Sequence, residues 1–255
     1  MSLEATVKYH FPKGQNFSGT APQTSPDTLT GTDYIASMGM AMSRAPLGYS
    51  AFMGKVGVSE NDAARAVSLL TEFALQSCDK VAAFRKLDVN IKSAVMQTLA
   101  TYAYHDYCRS AASVKPCSCC EARGFIEADV FSMKSPLSGG HSRNVREVVR
   151  VLCKQCKGKG LITASCRDCN GRGRAVMKAE TEKQGVPVMG DCKRCSGRGY
   201  ERIPSTEAHN AICGITDAIS LDSWKKSAKA FYDGLITKLD IEESWANTAL
   251  NRVTG

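Results

Sequence analysis

Apolar residues recur at helical spacing in two regions, on either side of a middle stretch where that rhythm is lost. Ser59 precedes a run in which Ala63, Val67, Leu70 and Leu75 fall near one face. A serine there supplies the side-chain oxygen that caps a helix. Asp88 or Asn90 opens a second run, carrying Ile91, Val95, Leu99 and Tyr102 on to Tyr107. Such stripes belong to a core rather than to a ligand site. Pro116 is expected to close this helical section. Past Pro204 the rhythm returns, with Ser205–Ile215 as one helix and Asp222 opening another that aligns Trp224, Ala228, Phe231 and Leu235. Phe11–Thr32 is rich in Ser, Thr, Pro and Gly and reads as a flexible tail.

The middle stretch has the period of strands. Phe125, Glu127 and Asp129 interleave with Ile126, Val130 and Phe131, and Val145–Leu152 is rich in β-branched residues. Pro136 and Gly139-Gly140 lie between them as turn formers. A second, shorter pair is expected from Arg174–Met177 and Val186–Met189, split by Lys183-Gln184-Gly185. The expected architecture is mainly α with a small-β module. Its parts are a tail at 1–32, a helical domain at 33–115, the module at 116–204 and a C-terminal helical segment at 205–255.

Four Cys-x-x-Cys pairs give that module its chemistry: Cys117/Cys120, Cys153/Cys156, Cys166/Cys169 and Cys192/Cys195. The last three continue into x-Gly-x-Gly, whereas the first has Ala122 and Gly124 at those positions. Two residues between sulfurs let a tight turn aim both thiolates at one metal, and the glycines allow positive φ, so that N–H groups turn toward the sulfurs. Eight thiols so spaced suit two tetrahedral Zn2+ ions per chain. The gaps between successive pairs are 32, 9 and 22 residues. Only the long ones have room for a returning hairpin, so the first pair is expected to join the second and the third the fourth. An interleaved arrangement, one with four and two with three, is the alternative. Cys78, Cys108, Cys119 and Cys213 fall outside the ligand spacing and read as packing residues.

Disulfide and redox readings fit less well. Met1–Gly31 lacks the apolar segment of a secretory signal, which argues for an intracellular protein with reduced thiols. A thioredoxin-like site needs one Cys-x-x-Cys opening a helix after a strand. At 255 residues and 43% hydrophobic, the chain can bury one good core or two small ones. No run approaches the ~18 apolar residues of a membrane span, so no membrane partner is expected. The net charge of +8 resides in residues 117–204, where 17 Lys and Arg oppose 9 Asp and Glu. Two ions on eight thiolates would leave about +4 there. That field suits nucleic acid or an acidic protein surface.

Small residues Gly214 and Ala218, then Ile219-Ser220, stand between the two C-terminal helices with the spacing of a helix-turn-helix. Lys225, Lys226 and Lys229 lie opposite the apolar face of the second helix and are the candidate DNA contacts. A plain helical hairpin with a solvated lysine face is the competing reading, and Gly48–Leu70 has a similar rhythm.

The chain also resembles the Q antitermination proteins of lambdoid phages nearly end to end. The resemblance is carried by Gly31-Thr32-Asp33, Ala36 to Ala41, Leu99 to Tyr104 and Asp106 to Ala112. It continues through Cys166-Arg167-Asp168-Cys169, Gly171, Gly173 to Val176, Cys192, Arg194-Cys195 and Gly197 to Tyr200. Trp224, Tyr232-Asp233, Glu242 to Ser244 and Leu250-Asn251 extend it. By that resemblance Cys166, Cys169, Cys192 and Cys195 correspond to the family's single zinc site, which independently favours joining pairs three and four. The resemblance implies a regulator in the bacterial host cytoplasm that binds double-stranded DNA at a phage late promoter. It would engage sigma-containing RNA polymerase at a promoter-proximal pause and make it resistant to terminators. The basic hairpins, apart from the resemblance, would suit nascent RNA as a further partner.

The first two cysteine pairs depart from the family, lying in an insertion between Ala112 and Cys166. They resemble the cysteine-rich repeats of DnaJ chaperones, most closely over Cys156–Cys169. A DnaJ-like zinc adaptor is therefore the alternative function, although the His-Pro-Asp loop and Gly/Phe-rich linker of those chaperones are missing from the sequence. An enzyme would need an open metal position or a nucleophile–base pair. The pair cysteines suit closed sites, and His10, His105, His141 and His209 lie in unrelated contexts. A non-enzymatic role is expected.

Overall fold

The computed structural model describes residues 3–4, 31–134, 141 and 143–254. Among the described residues four longer helices come first, α1 (Gly31–Arg44), α2 (Pro46–Val56), α3 (Glu60–Ser77) and α4 (Val89–Tyr107), with a single helical turn at Ala82–Arg85 before α4. Strands β1 (Val114–Pro116), β2 (Phe125–Lys134), β3 (Arg143–Leu152), β4 (Leu161–Thr163) and β5 (Arg174–Val176) follow. Helix α5 (Lys178–Gln184) and strand β6 (Met189–Asp191) complete the middle section. Helix α6 (Ser205–Cys213) is followed by α7, which runs from Leu221–Ser223 through a π turn at Trp224–Ala228 into Lys229–Thr254. The chain divides into two compact units, one of Met1–Cys108 with Ile203–Gly255 and one of Arg109–Arg202.

In the first unit the helices before and after the middle section share one core. Leu70, Ala74, Leu99 and Ala103 pack with Ile212, Trp224, Ala228 and Leu235, all fully or almost fully buried. Each buried Leu or Ile of this kind contributes ~1.5–3 kcal/mol relative to exposure. The expected helical face at Ala63, Val67 and Leu70 is the one that packs, and the Ser59 hydroxyl accepts the Asp62 N–H at 3.3 Å, as a cap should. A second cluster gathers Met38, Ala41, Tyr49, Phe52 and Met53 against Ala246 and Leu250. Helices α2 and α7 cross in contact. A Cβ on Gly48 would come 1.8 Å from the Glu242 carbonyl oxygen.

A polar tie joins three helices of this unit. The Tyr107 hydroxyl donates to Glu243, whose carboxylate lies 3.3 Å from the Lys55 ammonium. Lys55 stands 4.1 Å above the Tyr107 ring. Burial, then the bond to Glu243, pushes the Tyr107 hydroxyl well above the usual phenol range. Buried Asp106 accepts the Ile203 N–H at 2.6 Å, so the point where the chain leaves α4 is bonded to the point where it returns.

Several boundaries differ from those expected. The tail expected at Phe11–Thr32 lies outside the described residues up to Thr30, and Gly31 and Thr32 are already helical. The first helical section ends at Tyr107, not Pro116, which instead sits in β1. Cys78 is buried in the core and Cys108 is half-buried, but Cys119 and Cys213 are exposed and are not packing residues.

The second unit is built from three two-stranded antiparallel sheets. β2 and β3 pair over their whole length, from Phe125 opposite Leu152 to Lys134 opposite Arg143. β1 pairs with β4, closing the base of that long hairpin. Leu161–Ser165 is too short to turn back on itself, so it finds its partner upstream of the first cysteine. β5 pairs with β6, with Arg174 opposite Asp191. The strand expected at Val186–Met189 begins only at Met189, and a helix missed by the strand reading fills Lys178–Gln184. Its residues Ala179, Glu180, Glu182, Lys183 and Gln184 are strong helix formers, and Gly185 ends it at φ 69°.

Candidate metal centres

Each Cys-x-x-Cys pair is the start of a knuckle whose backbone turns around the sulfurs. After the second cysteine the chain takes positive φ at Lys157, Asn170 and Ser196, then at the glycine that follows each. The first knuckle makes the same turn without the glycine, holding Glu121 at 48° and Ala122 at 65°. The result is a set of backbone donors. Gly124, Gly173 and Gly199 N–H groups reach Cys120, Cys169 and Cys195 Sγ at 3.2, 3.3 and 3.2 Å.

Knuckles associate in twos by a reciprocal rule. Cys117 N–H donates to the Gly160 carbonyl at 2.8 Å, and Cys153 N–H to the Gly124 carbonyl at 2.9 Å. Cys166 N–H donates to Gly199 and Cys192 N–H to Gly173, both at 2.8 Å. Each bonded pair of knuckles therefore has approximate two-fold symmetry, and the second glycine of each motif is the partner's acceptor.

The eight sulfurs meet in two buried groups, Cys117, Cys120, Cys153 and Cys156, and Cys166, Cys169, Cys192 and Cys195. This is the consecutive arrangement and not the interleaved one. Within the first group Cys117 and Cys153 Sγ lie 3.8 Å apart and Cys120 and Cys156 Sγ 3.6 Å. In the second the corresponding separations are 3.8 and 3.7 Å. A disulfide would need about 2.05 Å, and all twelve cysteines are free. Four sulfurs about 2.3 Å from a central Zn2+ stand about 3.8 Å apart along each tetrahedral edge. The donor sets therefore fit a metal ion, and both groups can hold one.

The thiols differ in how readily they lose protons. Backbone N–H groups, from Cys156 and from Cys169, lower Cys153 to about 6 and Cys166 to about 7. Burial pushes Cys120 up to about 12 and Cys195 up to about 11. In each group, then, backbone donors favour the thiolate at one cysteine while burial opposes it at another.

The candidate DNA contacts lie in the other unit. Ile219 is buried and its carbonyl lies 3.1 Å from His209 Nε2. The Ser220 hydroxyl caps α7 by accepting the Ser223 N–H at 3.3 Å. Trp224 and Ala228, at the two ends of the π turn, are both buried. Lys225, Lys226 and Lys229 are exposed, and Lys226 lies 2.8 Å from Asp222. In the competing pair α2–α3, the second helix opens with Glu60 and Asp62.

A family profile described as Antitermination protein Q matches residues 23–111 and 160–247. Relatives named Antitermination protein Q from Escherichia phage lambda and from Salmonella phage P22 are each 35% identical over 254 residues, the full length of both chains. This chain belongs to the antitermination protein Q family. A homologue described as a prophage antitermination protein Q, from Escherichia coli K12, is likewise 35% identical end to end. The profile of the Q family leaves residues 112–159 unmatched. That interval holds all four cysteines of the first group and the whole β2–β3 hairpin, whereas the second group falls inside the matched sequence. The first centre is therefore an addition to the part of the chain that the Q family profile describes.

Proposed function

We propose that this protein is a phage late-gene transcription antitermination factor. It binds double-stranded DNA near a promoter, loads onto sigma-paused bacterial RNA polymerase in the host cytoplasm, and makes the enzyme resistant to terminators. The observation that carries this reading is the end-to-end likeness to proteins named Antitermination protein Q. The protein acts as a regulator, not as an enzyme. Among the described residues no helix is long and apolar enough to cross a membrane.

The two four-cysteine groups hold Zn2+ as structural ions, one each. Bound there, an ion would supply cross-linking, with the four cysteines of each group holding it and their buried thiolates neutralised. The DNA contact is assigned to the exposed Lys225, Lys226 and Lys229 at the start of α7. This assignment is supported by charge: three exposed lysines on the first turns of α7 outnumber the one acid there, Asp222, whereas α3 opens with Glu60 and Asp62. DNA binding concentrates the factor beside the paused polymerase, and emerging RNA is the further partner.

The test is transcription in a purified system from the protein's own late promoter through a downstream terminator. Read-through should appear with zinc-loaded protein and vanish when the upstream DNA element is scrambled or when the protein carries Cys192→Ser. Read-through that survives both changes, or none on the intact template with the host polymerase, would falsify the proposal.

A further inference from the structure

The β2–β3 hairpin stands outside the matched family sequence, and both its strands are edges. Ten cross-strand pairs make a ribbon roughly 30 Å long. An isolated two-stranded ribbon gains little from its own burial, so its exposed side chains call for an explanation. On one face of the outer half, Phe131 lies opposite Arg146 and Met133 opposite Asn144. Phe131 is 75% and Met133 73% exposed. Arg146 and Asn144 are exposed as well.

Charge is segregated along the ribbon. From Val130 to Arg146 the sequence holds Lys134, Arg143 and Arg146 and no carboxylate. Two acids border that stretch at mid-ribbon: Asp129 holds Arg146 Nη2 at 2.5 Å, and Glu147, opposite Val130, reaches outward to pair with Lys134. Glu127 lies opposite Arg150, lower on the ribbon.

We propose that the outer half of this ribbon enters the major groove of duplex DNA. The inference rests on the DNA-binding reading above and adds a second reading element to it. A major groove about 12 Å wide admits a two-stranded ribbon. The four side chains on the exposed face match the chemistry of base edges there. Arginine pairs with the O6 and N7 of guanine, asparagine with the N6 and N7 of adenine, and apolar groups meet the thymine methyl. Arg143, on the opposite face at the same end, supplies positive charge for the sugar–phosphate walls. Asp129 orients Arg146 through one nitrogen and leaves its other donors available.

The experiment uses the full-length, zinc-loaded protein and a pool of short random-sequence DNA duplexes. The selected site, and affinity for it, are compared among wild type, Asn144→Ala/Arg146→Ala, Phe131→Ala and Arg146→Lys. Metal content and circular dichroism check that each variant is folded. The double variant should lose preference at two or more base pairs and bind the wild-type site about tenfold more weakly or worse. Arg146→Lys should keep the salt dependence while losing its guanine. An unchanged consensus and affinity in all three would overturn the inference. Charge reversal at Lys225, Lys226 and Lys229, run in parallel, separates the two readings. If those changes abolish binding while the ribbon variants do not, only the ribbon inference falls. If wild type binds no duplex, both fall.

Discussion

Gly160 lies against the carbonyl of Ala122, so closely that a Cβ on the glycine would stand 2.2 Å from the oxygen. The mirror contact sets Gly124 against the Gly158 carbonyl at 2.4 Å by the same measure. Steric closeness, together with positive φ, explains why the final glycine recurs in every knuckle. Gly160→Ala should therefore break the first centre and leave the second intact. Metal analysis of the purified variant should give one ion per chain instead of two. A variant retaining both would show that the knuckles can part without losing the ion.

Ala122 occupies a left-handed position that glycine holds in the other three knuckles. A non-glycine residue there costs about 1–2 kcal/mol, partly offset because glycine loses more entropy on folding. Ala122→Gly should stabilise the first centre by about 0.5–1 kcal/mol. Competition with a chelator should show slower or weaker metal loss. A variant that loses metal sooner than wild type would contradict this strain argument.

Removing the metal should unfold the Arg109–Arg202 unit while the helical unit keeps its structure. Structural zinc contributes roughly 10–16 kcal/mol of apparent binding free energy, against about 5–15 kcal/mol for a whole domain's stability. The metal-bound form carries fewer protons than the free thiols, so affinity falls as pH falls, and acidification should release both ions. Helix content measured by circular dichroism during chelation, alongside proteolysis of the middle section, would check both halves of this expectation.

Gly48→Ala should act within the helical unit. Its Cβ would collide with the α7 backbone at Glu242, and two backbones cannot part as cheaply as a side chain can move. Overpacking of this kind costs typically about 1–3 kcal/mol and sometimes more. Denaturant unfolding should show a matching loss of stability with two ions still bound. Unaltered stability would mean that α2 and α7 can shift apart freely.

Charge reversal at Lys225, Lys226 and Lys229 should weaken DNA binding without unfolding, because all three side chains are exposed. Fewer phosphate contacts should also reduce the slope of affinity against salt concentration. Unchanged affinity in a folded triple variant would move the contact to another surface.

Much of the fold is legible because cysteine chemistry is local and strict. Two residues between sulfurs, and gaps of 32 and 22 residues that admit hairpins, are enough to group Cys117 with Cys153 and Cys166 with Cys192. The Glu60–Ser77 helix is legible from its cap and stripe. The β1–β4 pairing is not, because Val114–Pro116 carries no strand signal and its partner Leu161–Thr163 lies beyond both knuckles of the first centre. Helix α5 is hidden for another reason. A direct hairpin is the simpler reading of its gap, although Lys178–Gln184 has the composition of a helix. The stretch Trp224–Ala228 looks like ordinary helix in its periodicity, and its π turn shows only in backbone hydrogen bonds.

The bond from the Ala164 N–H to the Ser113 carbonyl, at 2.8 Å, makes the intervening 50 residues an excursion that begins and ends at one place. A second closure, Ile203 on Asp106, encloses the whole middle section in the same manner. The chain is therefore nested like brackets within brackets, each pair shut by a hydrogen bond. Length can be gained or lost inside a bracket without moving anything outside it. The first metal centre and its ribbon lie wholly inside the inner bracket, so removing both would break neither closing bond.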